Sequence, residues 1–137
     1  MESVSFSREI QAPPDPVRDA IRDVGPFMRA AGFSEVAVEG DTVEIANAVG
    51  LFRIELTLEL IDRPDAVLSY DQREGIFEEM TTTYRIDATD GTTTVEVTTS
   101  FALDAAFVGP VFDATVIKRQ RRREIEQQFD YLQETCE

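Results

Sequence analysis

The chain lacks histidine and tryptophan and has a single cysteine, Cys136. Without histidine it cannot build a Ser-His-Asp or Cys-His catalytic centre, and it lacks the commonest zinc ligand. One cysteine cannot form a disulfide within the chain, so we expect a reducing, cytoplasmic location. We accordingly expect no cofactor and no bound metal.

Long apolar runs are also missing. No stretch approaches the roughly 18–20 consecutive apolar residues that a membrane-spanning helix needs. The first residues, Met1-Glu2-Ser3, are acidic and do not resemble a signal peptide. We therefore expect no integral membrane segment.

Basic side chains are scarce as well. Asp and Glu number 27 against 13 Lys and Arg, which gives a formal net charge of −14, and Lys118 is the only lysine. Such an excess of negative charge repels nucleic acid and anionic membranes. Acid-rich, lysine-poor surfaces resemble those of proteins from halophiles, where salt screens the repulsion; the alternative is an ordinary acidic protein.

The apolar residues that are present indicate one folded domain over residues 1–137. They make up 42% of the chain, enough for a core at this length. Alternation over residues 4–10 predicts a first strand, and Asp15 followed by Pro16 predicts the N-terminus of a helix. Gly25-Pro26 should end that helix, and a second short one should end at Gly32.

From Glu35 to Leu103 the apolar period is two, which predicts six strands. The clearest strand is 52–60, where every second side chain is apolar. Asp90-Gly91 predicts a hairpin turn into a strand at 92–103. A long amphipathic helix should then begin near Asp104 as N-cap. Its expected apolar stripe contains Val111, Thr115, Lys118, Arg122, Ile125, Phe129, Leu132 and Cys136.

The order strand, two short helices, six strands and a long helix resembles the START-like superfamily, also called SRPBCC. Ile10-Gln11-Ala12-Pro13 followed by Pro16-Val17 and Ile21 is similar to the start of these proteins, and Gly75-Ile76-Phe77 to one of their hairpins. The superfamily includes polyketide cyclase/dehydrase-like and coenzyme-Q-binding-like proteins. The resemblance implies an α+β helix-grip fold, in which a curved antiparallel seven-stranded sheet wraps around the C-terminal helix and leaves a cavity.

Side chains alternate between the two faces of a strand, and this alternation, here called strand parity, suggests which residues line that cavity. The candidate polar residues share a face with apolar neighbours, and a few convergent polar groups would orient a ligand. The polar candidates are Tyr70, Gln72, Thr82, Tyr84 and Thr99; the others are Phe52, Leu56, Val97, Phe101, Val111 and Thr115. The alternative is that these side chains pack a filled core and that the polar ones are satisfied structurally.

Arg122 is the sharpest single candidate, because it lies on the predicted apolar stripe of the last helix. A buried arginine must be paired, so it should meet a carboxylate of the sheet, such as Asp71 or Glu79, or an anionic group of a ligand. The alternative is that its head reaches water. The basic run 118–123 is followed closely by acids, so ion pairs within the helix explain it better than phosphate binding does.

Three functions remain open. The leading hypothesis is a carrier or sensor that binds a small hydrophobic molecule such as a lipid, isoprenoid or polyketide-like compound. The second is a cyclase or dehydratase, which would need a pocket acid or a tyrosine such as Tyr70 or Tyr84 with perturbed ionisation. The third is a protein-interaction module with a filled cavity and an exposed apolar patch. We expect a monomer or weak homodimer that binds no nucleic acid.

Overall fold

In the part of the chain that the structure describes, seven strands and three α-helices follow one another in the order that the sequence predicts. The structure, a computed structural model, describes residues 1–107 and 113–137. The strands are β1 (Glu2–Ile10), β2 (Glu35–Glu39), β3 (Thr42–Val49), β4 (Phe52–Leu60), β5 (Leu68–Glu74), β6 (Phe77–Thr89) and β7 (Thr92–Leu103). The helices are α1 (Pro14–Arg22), α2 (Val24–Ala30) and α3 (Ala114–Cys136), with a short 3-10 helix at Ala105–Phe107.

All strands pair antiparallel in one sheet of order β1-β7-β6-β5-β4-β3-β2. The register shifts between Thr57 and Leu58 of β4 and between Phe77 and Glu79 of β6. Such irregularities bend a strand and increase its twist, which curves the sheet around α3. The helix-grip architecture is thereby confirmed.

The turn chemistry explains two of the tight connections. Asp90 and Gly91 both have positive φ, 51° and 80°, as a two-residue hairpin turn requires, and they join β6 to β7 where the sequence predicts. Gly75 lies between β5 and β6 with φ 153°, and a Cβ there would lie 2.3 Å from Leu56 Cδ2. A side chain at position 75 would therefore collide with β4.

All three helix starts differ from the predictions. Helix α2 begins at Val24, so Gly25-Pro26 lies in its first turn, and helix α1 already ends at Arg22. Helix α1 begins at Pro14 rather than after Asp15, because proline fits the first turn of a helix, and Asp15 instead pairs with Arg18. Helix α3 begins at Ala114, where the Asp113 carboxylate accepts a hydrogen bond from Val116 N. Asp104 caps only the 3-10 helix, by accepting from Ala106 N.

The two halves of α3 have different surroundings. We call Ile125–Leu132 the packed half, because its inner side chains are buried against β1, α1 and α2. Gln128 Nε2 donates to the carbonyl oxygen of Phe27 in α2, and the Arg8 guanidinium of β1 lies 5.1 Å from the Phe129 ring centre. We call Ile117–Glu124 the cavity half, because its inner side chains face a gap over the sheet.

In the ranges 1–107 and 113–137, no helix has the length and apolar character needed to cross a bilayer. Within the same ranges, no cluster of three or more His, Cys, Asp or Glu side chains could hold a metal ion.

Candidate functional site

A cavity of about 70 Å³ lies between the cavity half of α3 and strands β3–β7. Its walls are mainly apolar and its mouth is partly open to solvent. Strand parity brings the inner faces of β3 and β4 together here, so that apolar residues form most of the lining. The lining residues are Phe33, Ile45, Asn47, Val49, Ile54, Leu56, Leu58, Tyr70, Ile76, Phe77, Met80, Thr99, Ile117, Gln120, Arg121 and Glu124.

The polar end of the cavity is built around Arg121. This side chain is only 8% exposed, yet each of its three guanidinium nitrogens has a hydrogen-bond partner. Nε donates to Thr99 Oγ1 at 2.9 Å, and Nη1 donates to Glu124 Oε1 at 3.0 Å. Nη2 donates to the Tyr70 hydroxyl at 2.6 Å and lies within 3.5 Å of the Thr82 and Tyr84 hydroxyls. Four different elements therefore hold one buried cation in place.

Glu124 is the counter-ion of Arg121. It lies three residues further along α3 and is 7% exposed. Its Oε1 accepts from Arg121, whereas its Oε2 accepts from Asn47 Nδ2 at 2.9 Å and from Gln120 Nε2 at 3.3 Å. Both carboxylate oxygens are satisfied, which is what a buried charge requires.

Burial and ion pairing act in opposite directions on the pKa values of Glu124 and Arg121. Burial raises the pKa of Glu124 above its ordinary value, although Arg121, Gln120 and Asn47 all oppose that rise. Burial also disfavours the charge on Arg121, but the surrounding Tyr70, Tyr84 and Glu124 outweigh it, and the pKa of Arg121 is raised. Arg121 is therefore charged at every physiological pH.

Tyr84 lies behind the cavity wall. It is fully buried and donates its hydroxyl hydrogen to Gln128 Oε1 at 2.6 Å. Burial raises the pKa of Tyr84 well above that of a free phenol, with the neighbouring Tyr70 adding to the rise. Tyr84 is thus a neutral hydrogen-bond donor and a poor base. The raised pKa disfavours the phenolate form that a tyrosine base would need.

The structure brings several of the predicted residues together. Tyr70, Thr99 and Leu56 line the cavity, and Thr82 and Tyr84 are buried next to it as parity predicts. The Thr82 and Thr99 hydroxyls lie 2.9 Å apart on adjacent strands. That these residues contact a ligand remains a prediction.

The predicted inward position of Arg122 is wrong. Arg122 is exposed and lies with its guanidinium 5.2 Å from the ring centre of Phe6 in β1. The buried arginine is its neighbour Arg121, and the carboxylate it meets is Glu124 of its own helix rather than Asp71 or Glu79 of the sheet. Thr115 is exposed as well, because before Ile125 the buried residues of α3 lie one position earlier than the predicted stripe, at Ile117 and Arg121.

Other predicted residues do not line the cavity. Phe52 is 50% exposed, since it begins β4 beside the turn, beyond the part of the sheet that α3 covers. Gln72 folds onto the next hairpin, where it donates to the Phe77 carbonyl oxygen and accepts from Phe77 N. Val97 and Phe101 are fully buried but belong to the filled core. Val111 lies outside the described residues.

Sequence reasoning missed Asn47, Gln120, Arg121 and Glu124. Parity could have found Asn47, because it has the same phase as Ile45 and Val49 in β3. Helical spacing could have found Arg121, since four residues separate Ile117 from Arg121 and four more separate Arg121 from Ile125.

The whole chain, residues 1–137, matches the family described as polyketide cyclase / dehydrase and lipid transport. The chain belongs to this family. The predicted resemblance to the START-like superfamily is thereby confirmed, and the family indicates hydrophobic-ligand binding or cyclase chemistry as the class of function. No match is found among curated proteins.

Similar solved structures support the fold of this family member. The Zhui aromatase/cyclase from a Streptomyces species is 18% identical, with a TM-score of 0.75 over 96% of this chain and 93% of that one. A START superfamily protein from Mycobacterium smegmatis is 12% identical, with a TM-score of 0.71 over 98% and 96%. A protein from Thermus thermophilus is 18% identical, with a TM-score of 0.75 over 98% and 96%. At these identities the likeness shows the fold alone.

Proposed function

We propose that this protein binds a small, mainly apolar molecule with one polar end, as a carrier or sensor. The observation that carries the proposal is a cavity with apolar walls that ends at a buried arginine whose charge is paired with Glu124. Ligand sites in proteins combine apolar walls with a few fixed polar groups in this way. The lipid-transport part of the family description supports the same function.

The size of the cavity limits the ligand. A volume of about 70 Å³ lies well below the roughly 300–1,000 Å³ of drug-sized pockets. The ligand either has few atoms or displaces side chains at the mouth, where Phe33, Leu56 and Phe77 are only half-buried. A polyketide-sized molecule requires that displacement.

Binding fits the polar groups better than catalysis does. Arg121, Tyr84 and Gln128 direct their hydrogen bonds to other side chains of the protein or to the backbone, as structural groups do. Such a fixed set of dipoles orients a polar group without reacting with it.

The test starts with native mass spectrometry of the protein as purified, followed by extraction and identification of whatever comes off. We expect a stoichiometric apolar adduct. The same measurement on Leu56→Phe, which narrows the mouth, should lose the adduct. Leu60→Phe lies on the same strand outside the cavity lining and is the matched control. An adduct that persists equally in both variants contradicts binding in this cavity.

Glu124 supports a second candidate function, cyclase or dehydratase chemistry. It is a buried carboxylate in an apolar cavity with a raised pKa, and such a group can move a proton next to a carbonyl. A suitable substrate is 2,6-heptanedione, whose intramolecular aldol condensation forms a cyclic enone and releases one water. Enone formation faster than in buffer, lost in Glu124→Gln and kept in the exposed-site variant Glu126→Gln, would establish an enzyme. If the protein binds the diketone without accelerating the condensation, the cyclase function is contradicted and ligand binding remains the proposed function.

The third hypothesis, a protein-interaction module, needs a filled cavity and a large apolar patch. The cavity is present, and the exposed large apolar side chains in the described part of the chain are Met1, Val38, Leu51 and Phe52. These observations favour the ligand-binding function.

A further inference from the structure

The charge of the cavity indicates what kind of polar end a ligand has. Arg121 is a cation, Glu124 is an anion 3.0 Å away, and both are more than nine-tenths buried. The other polar lining residues, Asn47, Gln120, Thr99 and Tyr70, have amide or hydroxyl side chains. The arginine therefore brings no net positive charge to the cavity.

We propose that the cavity selects an uncharged oxygen-bearing ligand, such as a ketone, amide or alcohol, over a carboxylate of the same shape. Glu124 is the residue that determines this specificity. The inference rests on the proposed function and deepens it, since it names the ligand class of the same cavity.

A carboxylate ligand is disfavoured because Glu124 already neutralises the charge of Arg121. A second carboxylate would place two buried anions beside one cation, with a net negative charge in an apolar site. Burying an unpaired charge is far more costly than burying a neutral carbonyl, and like charges at close range repel. The net charge of −14 on the whole chain acts in the same direction at long range.

A neutral carbonyl has suitable donors in the same place. Arg121 Nη1, Asn47 Nδ2 and Gln120 Nε2 each donate one hydrogen bond to Glu124. Each of these nitrogens carries two hydrogens, so each has one more to offer. A ketone or amide oxygen can accept from this group of donors while Glu124 keeps its own contacts.

Glu124→Gln removes the counter-ion and nearly preserves the shape of the side chain. Arg121 then becomes an uncompensated buried cation, which a carboxylate ligand can neutralise. We therefore expect the selectivity of this variant to shift toward anions.

The experiment compares acetophenone, benzamide and benzoate, which have the same number of non-hydrogen atoms and nearly the same shape. The polar end of each is small enough to enter the cavity while its ring lies between the side chains at the mouth. Calorimetric titrations are run at about pH 8, where carboxyl groups are ionised. Glu126→Gln removes the same charge from the exposed side of α3 and is the matched control.

We expect benzoate to bind the wild-type protein at least about tenfold more weakly than either neutral probe. Glu124→Gln should narrow or invert this ratio, and Glu126→Gln should leave it unchanged. Equal binding of benzoate and acetophenone to the wild type overturns this inference and leaves the proposed function standing. No saturable binding of any probe to the folded wild type contradicts the proposed function itself. If Glu124→Gln does not fold, the ratio of the benzoate and acetophenone affinities for the wild-type protein tests the inference by itself.

Discussion

The two halves of α3 differ in what they face: one packs in the filled core, and the other borders the cavity that we propose to bind a ligand. In the packed half the buried residues are Ile125, Gln128, Phe129 and Leu132, and three of these four are apolar. In the cavity half the lining residues are Ile117, Gln120, Arg121 and Glu124, and three of these four are polar.

The inward residues of the two halves differ in polarity because one half faces filled core and the other faces a cavity. The packed half meets β1, α1 and α2, where apolar side chains fill the space. The cavity half faces a gap, and its ion pair contributes little net stability because desolvation offsets most of the attraction. Polar groups that a filled core would exclude are therefore concentrated at the cavity, at the expense of local stability.

Truncating the same residue type in each half measures the difference in packing. Ile125→Ala should lower the free energy of unfolding by about 4 kcal/mol, because Ile125 is fully buried in filled core. Ile117→Ala should lower it by only about 2 kcal/mol, since Ile117 already borders empty space. Urea denaturation gives both values. Equal losses at the two positions contradict the division of α3 into two halves.

Breaking the ion pair tests the polar end of the cavity half. Arg121→Met should cost about 3 kcal/mol of stability, because Glu124 is left buried without its cation. It should also weaken binding of a neutral probe such as acetophenone at least about tenfold. The double variant Arg121→Met with Glu124→Met should recover most of the lost stability and none of the binding. A double variant no more stable than Arg121→Met would mean that the pair is a net stabiliser.

The pH dependence of stability is a smaller effect. The pKa of Glu124 is raised in the folded protein, so the folded state holds that proton more tightly than the unfolded chain does. The contribution of Glu124 to stability is therefore largest below its ordinary pKa of 4.5 and falls as pH rises through the folded-state pKa. The stability of the wild type relative to Glu124→Gln should decrease from about pH 4 to about pH 7. Glu126→Gln is the control at an exposed position. If the stability of the wild type relative to Glu124→Gln increased over this pH range, and that relative to Glu126→Gln did not, the raised pKa of Glu124 would be contradicted.

The smallest effect is expected at the exposed arginine next to the site. Arg122→Met should change stability by less than about 0.5 kcal/mol, because its charge lies at the surface. It should leave ligand affinity unchanged, in contrast to Arg121→Met. Equal losses of affinity in the two variants would restore the sequence-based hypothesis that Arg122 faces the ligand.

The sequence predicts the fold well because its strands follow a period of two between clear turns. The bounds of β7 and the turn at Asp90-Gly91 are confirmed residue by residue. The predicted start of α3 is wrong because Asp104 and Asp113 are both good N-caps and both precede helical residues. Local chemistry does not determine which of the two begins the long helix.

The site is predicted only in part, and the reason is the composition of α3. Between Ile117 and Ile125 the helix has no apolar residue, so hydrophobic periodicity cannot fix which arginine faces inward. A step of three back from Ile125 selects Arg122, whereas a step of four selects Arg121, the residue that is buried. On the sheet, where side chains strictly alternate, Tyr70, Thr82, Tyr84 and Thr99 are placed correctly.

The most direct test of the account maps where a ligand contacts α3. Backbone amide chemical shifts are recorded while acetophenone is added to the protein. We expect the largest changes in the cavity half, Ile117–Glu124, and in Asn47 and Thr99 of the sheet, with little change in the packed half. Shifts confined to the packed half, or to the exposed turn at Leu51 and Phe52, would contradict the assignment of the cavity as the binding site.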